Sequence, residues 1–419
     1  MARSTKNIGL SLGADICWPI AYESLFEALT RDGLKFGKNT YDFAVERVTI
    51  EPFSLHQPVK YDVVIDRLTH WYSTSREWIK KAILMDELYV YNNPWSLQSN
   101  EKHTSYAAML RLGLPVPETW MLPPKAYDPS DDLEATLVKY ARMFNLDEIG
   151  DKIGYPFFMK PYHGGGWKGV TKIDNAQELH RAYDASGTEI MNLQAAVLPH
   201  DYFVRNVGLG PQVRHVNYDP GAPLHDRYRQ DIEFLDAEDQ QTLKDMTLTI
   251  NAFFGWDFNS CEALRQNGNW HPIDFANACP DSQVTSLHYH FPWLIKANLR
   301  WSLFCAATDR PMRKNMDWSP FYKIANSDRS PREKLTEYAK IAHKRFETEK
   351  FRRFCKNQLK DLDELAYDFF GSEKLHDAIR QKVEALFPRH EHEEFTQLFW
   401  DRIQLWREQE GKYGDKDGF

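Results

Sequence analysis

The sequence predicts an α/β protein in three parts: an open α/β domain over residues 1–100, an α+β central unit over 101–310 and a helical region over 311–419. Three observations carry this expectation. Short apolar runs alternate with helical patterns through the first hundred residues, as in parallel sheets. Gly113, Pro115 and Pro117 then punctuate the chain like a domain junction. Beyond Trp318 apolar residues recur at helical spacing, first at Leu335, Tyr338 and Ala342 and later at Phe395, Leu398, Phe399, Ile403 and Trp406.

In order, residues 8–12 (IGLSL) read as a strand, and Pro19 suits the first turn of a helix whose apolar face includes Tyr22, Leu25 and Leu29. A second strand is expected near Val45–Ile50. The run DVVID, residues 62–66, is a buried-type strand, followed by a helix through Trp78, Ile79 and Leu84 and a strand, YVYNN, that ends at Pro94. The loop after the first strand does not match G-x-G-x-x-G, so no dinucleotide site is expected there. Ser99 or Asn100 can cap a helix over about Glu101–Arg111, with Gly113 as its stop. The acidic run DPSDDLEATLVKYARMF reads as a helix capped near Ser130, and Tyr155–Tyr162 as the next strand. The last ten residues, EGKYGDKDGF, read as a frayed tail.

The chain has 419 residues, 42% of them hydrophobic, enough for two or three cores at about 100–200 residues per domain. Lysine and arginine number 52 against 60 acids, a net charge of -8, which offers no broad positive field and excludes a general nucleic-acid binder. Five scattered cysteines without a C-x-x-C pair suit a reducing, cytoplasmic setting. Gly13 and Asp15 interrupt the first apolar stretch, so no signal peptide is expected, and no apolar run approaches the roughly 20 residues of a membrane helix.

The chemistry starts at YPFFMKPYHGGGWKGVTKI. Lys160 ends an apolar strand, Gly164, Gly165 and Gly166 come next, and a second strand begins near Val170. Glycines let backbone N–H groups approach anionic oxygens while a lysine neutralises the same phosphates. By itself, a GGG turn is more often a flexible hairpin connection.

Further on, WDFNSCEALRQNGNWHPIDFANACPD reads as two strands joined at Asn267-Gly268, a strong hairpin signal. It carries Glu262 and Asp274 on opposite arms. Magnesium takes oxygen ligands, so Glu262, Asp274 and the amide oxygen of Asn277 are suitable. An unbulged two-residue turn pairs Glu262 with Ile273 and sends Asp274 to the other face; an extra residue near Gly268 or Pro272 restores a common face. His271, His288 and His290 lack a metal-binding spacing, and Cys279 lacks a histidine partner motif. Arg205 and Arg214 fall on strands and could clamp an anion, whereas Arg227 and Arg229 suit ordinary surface ion pairs equally well.

The order of EKHTSYAAMLRLGLPVP (101–117), the Lys160 strand with its glycine loop, and the acidic hairpin resembles the ATP-grasp superfamily over roughly residues 60–300. The resemblance implies that Lys102 and Lys160 reach the phosphates of ATP, that Gln194, Ala195, Ala196 and Val197 edge the adenine, and that Asp201 approaches the ribose. Many family members carry glutamate where Asp201 stands. Magnesium, or manganese in its place, would sit on Glu262, Asp274 and Asn277, although family members commonly space the acid and the asparagine by two rather than three. The implied reaction makes an acylphosphate from a small-molecule or peptide carboxylate, which an amine then attacks, with Arg205 and Arg214 offsetting developing charge. A phosphotransferase acting on a hydroxyl and a noncatalytic nucleotide sensor are the alternatives. The oligomeric state stays open, a homo-oligomer included.

Overall fold

A computed structural model describes residues 4–69, 71–97, 101–163, 168–277 and 279–411. The fold is mixed α/β. Along the chain come β1 (Ser4–Ser11), α1 (Cys17–Thr30), β2 (Leu34–Phe36), β3 (Asn39–Arg47), β4 (Val63–Asp66), α2 (Ser73–Asp86), β5 (Tyr89–Tyr91), α3 (Pro94–Leu97) and α4 (Lys102–Leu112). Next are β6 (Thr119–Leu122), α5 (Leu133–Tyr140), α6 (Leu146–Ile153), β7 (Phe157–Pro161), β8 (Thr171–Ile173), α7 (Ala176–Ala185), β9 (Met191–Ala195), β10 (Tyr202–Leu209) and β11 (Gln212–Asn217). The remainder holds α8 (Ala237–Phe254), β12 (Phe258–Gln266), β13 (Asn269–Asn277), α9 (Val284–Leu287), α10 (Phe291–Ala307) and a series of helices from Ser319 to Trp406.

Two compact units share this chain. Unit 1 comprises residues 1–98, 204–260 and 278–419, and unit 2 comprises 99–203 and 261–277. In unit 1 the first sheet has the order β2-β3-β1-β4-β5, with β1 parallel to both β3 and β4. The apolar runs explain it: Ile8 and Leu10 on β1 and Val63, Val64 and Ile65 on β4 are buried, as strands covered on both faces require. Helix α10 is buried along its whole length and packs on α1, β1 and β4. Tyr22 on α1 shares a 2.6 Å hydrogen bond with Ser302 there.

The strand expected at 45–50 ends at Arg47 and begins earlier, at Asn39, where a hairpin from β2 supplies its partner. On α2 Ile79 is buried, but Leu84 is 61% exposed, because Ile83 and not Leu84 continues the buried stripe. Tyr338 and Ala342, and later Phe399, Ile403 and Trp406, are buried as their spacing predicts.

Unit 2 is built on an antiparallel sheet of order β6-β9-β7-β8. Its alternation sorts the two faces. Phe157, Met159, Leu193, Met191 and Leu122 point into a core with Leu146, Ile149, Ile173 and Leu179 from the flanking elements, while Lys160, Asn192, Gln194 and Thr119 share the opposite face. The acidic run beginning at Asp128 forms only α5, eight residues with none buried, and a separate helix, α6, comes after it; its Asn145 cap accepts from the amides of Asp147 and Glu148. With none of its side chains buried against the rest of the unit, the longer helix read from the sequence does not form.

Candidate functional site

The site lies within unit 2, where α4 and β13 contribute to the surroundings of Lys160. Gly113 ends α4 in the left-handed region, its amide bonded back to Leu110 and Met109, which holds the helix to eleven residues and places Lys102 at its start. Tyr106, one turn along, donates its hydroxyl to the carbonyl of Ile273 at 2.8 Å. Its ring packs edge-on against Phe275, 5.4 Å between centroids.

Lys160, on β7, is buried. Its ammonium donates to Gln194 Oε1 at 2.7 Å, to the Ile273 carbonyl at 3.2 Å and to the Tyr106 hydroxyl at 3.3 Å. Gln194 completes the chain of contacts by donating to Thr119 Oγ1 at 3.0 Å. Burial pulls the Lys160 ammonium down from 10.5 to about 8; Asp274 and Glu262 oppose the shift and Lys102 adds to it. Between pH 8 and 10.5 the unfolded chain keeps a proton that the folded chain has released, so this group makes stability rise with pH across that window. Chemical denaturation at about pH 7.5 and pH 10 should show that rise reduced in Lys160→Met relative to the unsubstituted protein; equal rises would contradict the shift.

The acids meet the same cluster. Asp274 Oδ2 lies 3.6 Å from the Lys102 ammonium, and Asn277 Nδ2 donates to Asp274 Oδ1 at 3.4 Å. Glu262 is 6% exposed and, with Asp274, acts electrostatically on both Lys160 and Tyr106. The turn joining the arms has positive φ at Asn267 (50°) and Gly268 (78°), the backbone of a two-residue type I′ loop. Trp270 and Pro272 are buried, then Phe275. The buried positions of β13 thus step by two from Trp270 to Pro272 and by three from Pro272 to Phe275, a break in strict alternation just beyond Pro272.

The remaining expected positions differ in their surroundings. Gly164, Gly165 and Gly166 lie outside the described residues; beside them Gly169 has φ +70°, and a Cβ there would meet Pro161 Cγ at 2.8 Å. Along the proposed adenine edge, the amide of Ala195 donates to Glu118 and that of Ala196 to Pro156, while Val197 is buried. Asp201 is exposed, with its amide bonded to the Arg265 carbonyl at 2.8 Å. His271 is within 3.0 Å of the Pro115 carbonyl.

Both candidate arginines belong to unit 1. Arg205 stacks over Tyr218 and Tyr228 and donates to Ser260 at 3.4 Å. Arg214 is 1% exposed and bidentate to Glu410, at 2.8 and 2.6 Å, so its fork is occupied from within the chain. Burial drives His288 down to about 3 and the Cys279 thiol upward, and a thiol held in its neutral form is a poor nucleophile. No three His, Cys, Asp or Glu side chains gather as a metal cage among the described residues, and no helix there is long and apolar enough to cross a membrane.

Tyr106 and Asn192 escaped the sequence reading. Asn192 is fully buried directly across from Lys160, and neither end of its carboxamide has a hydrogen-bond partner. Their signals were the four-residue step from Lys102 to Tyr106 and the polar alternation of Asn192 and Gln194 around Leu193.

No family model matches the chain. A curated D-alanine–D-alanine ligase of Heliobacterium modesticaldum is 29% identical over 111 residues, 23% of this chain and 27% of the relative, so the chain spans about a quarter of that protein. Among solved structures, a RimK domain protein ATP-grasp from Sphaerobacter thermophilus is similar at 13% identity and TM-score 0.44, over 66% of this chain and 92% of that one. The chain resembles ATP-grasp proteins. Two further similar structures are a D-alanine–D-alanine ligase from Bacillus anthracis complexed with ATP (12% identity, TM-score 0.46, 73% and 98% covered) and the VanG D-Ala:D-Ser ligase from Enterococcus faecalis (15%, 0.44, 71% and 95%). The chemistry is left to the residues of this chain.

Proposed function

We propose that this chain is an ATP-dependent ligase that activates a carboxylate as an acylphosphate for attack by an amine or similar nucleophile, releasing ADP and phosphate. The observation that carries the reading is the electrostatic cluster of Lys102, Lys160, Glu262 and Asp274 within unit 2. Two ammonium groups suit a polyphosphate, and two carboxylates with a neighbouring carboxamide suit a hard divalent ion. The donor set therefore fits magnesium, or manganese, on Glu262, Asp274 and Asn277. A bound ion of this kind would act as a Lewis acid on phosphoryl oxygens. Lys102 and Lys160 would bind and orient the phosphates, the buried position of Lys160 would strengthen its pull on charge, and Gln194 would hold its ammonium in place. No nucleophile from the protein is needed.

The substrates are a small-molecule or peptide carboxylate and an amine. The ligase similar over 111 residues supports ligation as the reaction class. Hydroxylamine tests the reading, because it traps acylphosphates as hydroxamates. With ATP, magnesium and a pool of carboxylic acids, the protein is expected to release ADP and form a hydroxamate. Acid-dependent ADP release with neither hydroxamate nor amide would overturn ligation in favour of phosphotransfer, and nucleotide binding without turnover on any pool would favour a sensor.

A further inference from the structure

We propose that the Lys102–Asp274 ion pair couples the divalent ion to the nucleotide, so that each is held weakly until the other is present; this deepens, and rests on, the ligase reading of unit 2. Lys102 opens α4, its amide bonded to the Tyr162 carbonyl at 3.4 Å just beyond the end of β7. Its ammonium stands 3.6 Å from Asp274 Oδ2, with the two side chains 8% and 21% exposed. Charge-assisted contacts close to about 2.7–2.9 Å, so this pair is loose, and the long lysine stem can turn to another partner without moving the helix.

The balance of charge makes each ligand depend on the other. Two lysines and two carboxylates balance, and Lys160 already experiences Asp274, Lys102 and Glu262 together. A divalent ion arriving alone meets an Asp274 engaged by Lys102 and two ammonium groups nearby. A metal-free polyphosphate meets a Lys102 engaged by Asp274 and two carboxylates of its own sign. When both arrive, Lys102 turns to phosphate and Asp274 is released to the ion, so the contact broken serves both ligands at once. Linkage makes the effect reciprocal: the factor by which nucleotide tightens the ion equals the factor by which the ion tightens nucleotide.

Titration calorimetry with manganese alone, a non-hydrolysable ATP analogue in EDTA, and the two together tests this. The unsubstituted protein should show mutual tightening on the order of tenfold or more. Lys102→Met should bind manganese alone on the order of tenfold tighter than the unsubstituted protein, with the mutual effect lost. Asp274→Asn should bind the metal-free analogue more tightly, which gives a second readout should the first variant fold poorly. A role confined to structure would weaken ligands in both variants, and unchanged or weaker manganese binding in Lys102→Met, or unchanged or weaker analogue binding in Asp274→Asn, overturns the coupling. If the unsubstituted protein binds ion and analogue without mutual effect, the coupling alone fails; if it binds neither together, the ligase reading fails as well.

Discussion

Replacing Lys160 with methionine is expected to weaken ATP binding roughly tenfold to a hundredfold while leaving the fold at least as stable. Hydrogen bonds from a charged donor contribute about 1.5–3 kcal/mol, and this ammonium is withdrawn from water by Tyr106, Gln194 and the backbone of β13. The same burial is why stability should not fall. An ammonium pulled down to about 8 is held at a cost throughout neutral pH, and methionine of similar length removes that cost. The Ile273 carbonyl keeps the Tyr106 hydroxyl as its donor, while the loss of the 2.7 Å donor to the buried Gln194 Oε1 offsets part of that gain. Calorimetry and thermal denaturation of one sample measure both halves. A lower melting temperature with unaltered affinity would make Lys160 a structural residue.

The second large effect lies in unit 1. Glu410→Gln is expected to destabilise that unit by about 3–5 kcal/mol, the range for breaking a buried ion pair on one side. Arg214 and Glu410 are each about 1% exposed, and Arg214 has a further acceptor in His290 Nδ1 at 3.2 Å. His290 holds this geometry as a neutral ring, since burial and Arg214 push its pKa well down; its Nε2–H donates to the Arg229 carbonyl at 2.8 Å. Removing one carboxylate charge leaves a guanidinium in the interior without its counter-ion. Adding Arg214→Met should restore part of the loss, because replacing both partners avoids an orphaned charge. Urea denaturation monitored by tryptophan fluorescence gives both values; an undiminished midpoint in Glu410→Gln would contradict the account.

The contrast between these two positions shows what the sequence could reveal. The placement of Lys160 near the end of a strand was legible because the apolar run before it is contiguous, and the Asn267-Gly268 turn because both central residues tolerate positive φ. The burial alternation of β13 breaks just beyond Pro272, one of the two places where an extra residue is required if Glu262 and Asp274 are to share a face. The engagement of Arg214 was not, since Glu410 lies 196 residues away and an arginine on a strand reads alike whether it awaits a ligand or is already bound. Tyr106 was hidden for a related reason: an aromatic at helical spacing signals a core position, and only the fold shows its hydroxyl on the Ile273 carbonyl. The acidic segment from Asp128 misled because helix propensity without burial of its apolar residues is a weak determinant of length.

Central to the account is that unit 2 holds ATP together with a divalent ion. Calorimetric titration of the purified chain with a non-hydrolysable ATP analogue, with magnesium present and then removed by EDTA, tests it most directly. The account predicts saturable binding at one site per chain, weakened by EDTA. Absence of binding at millimolar analogue with magnesium present would contradict it.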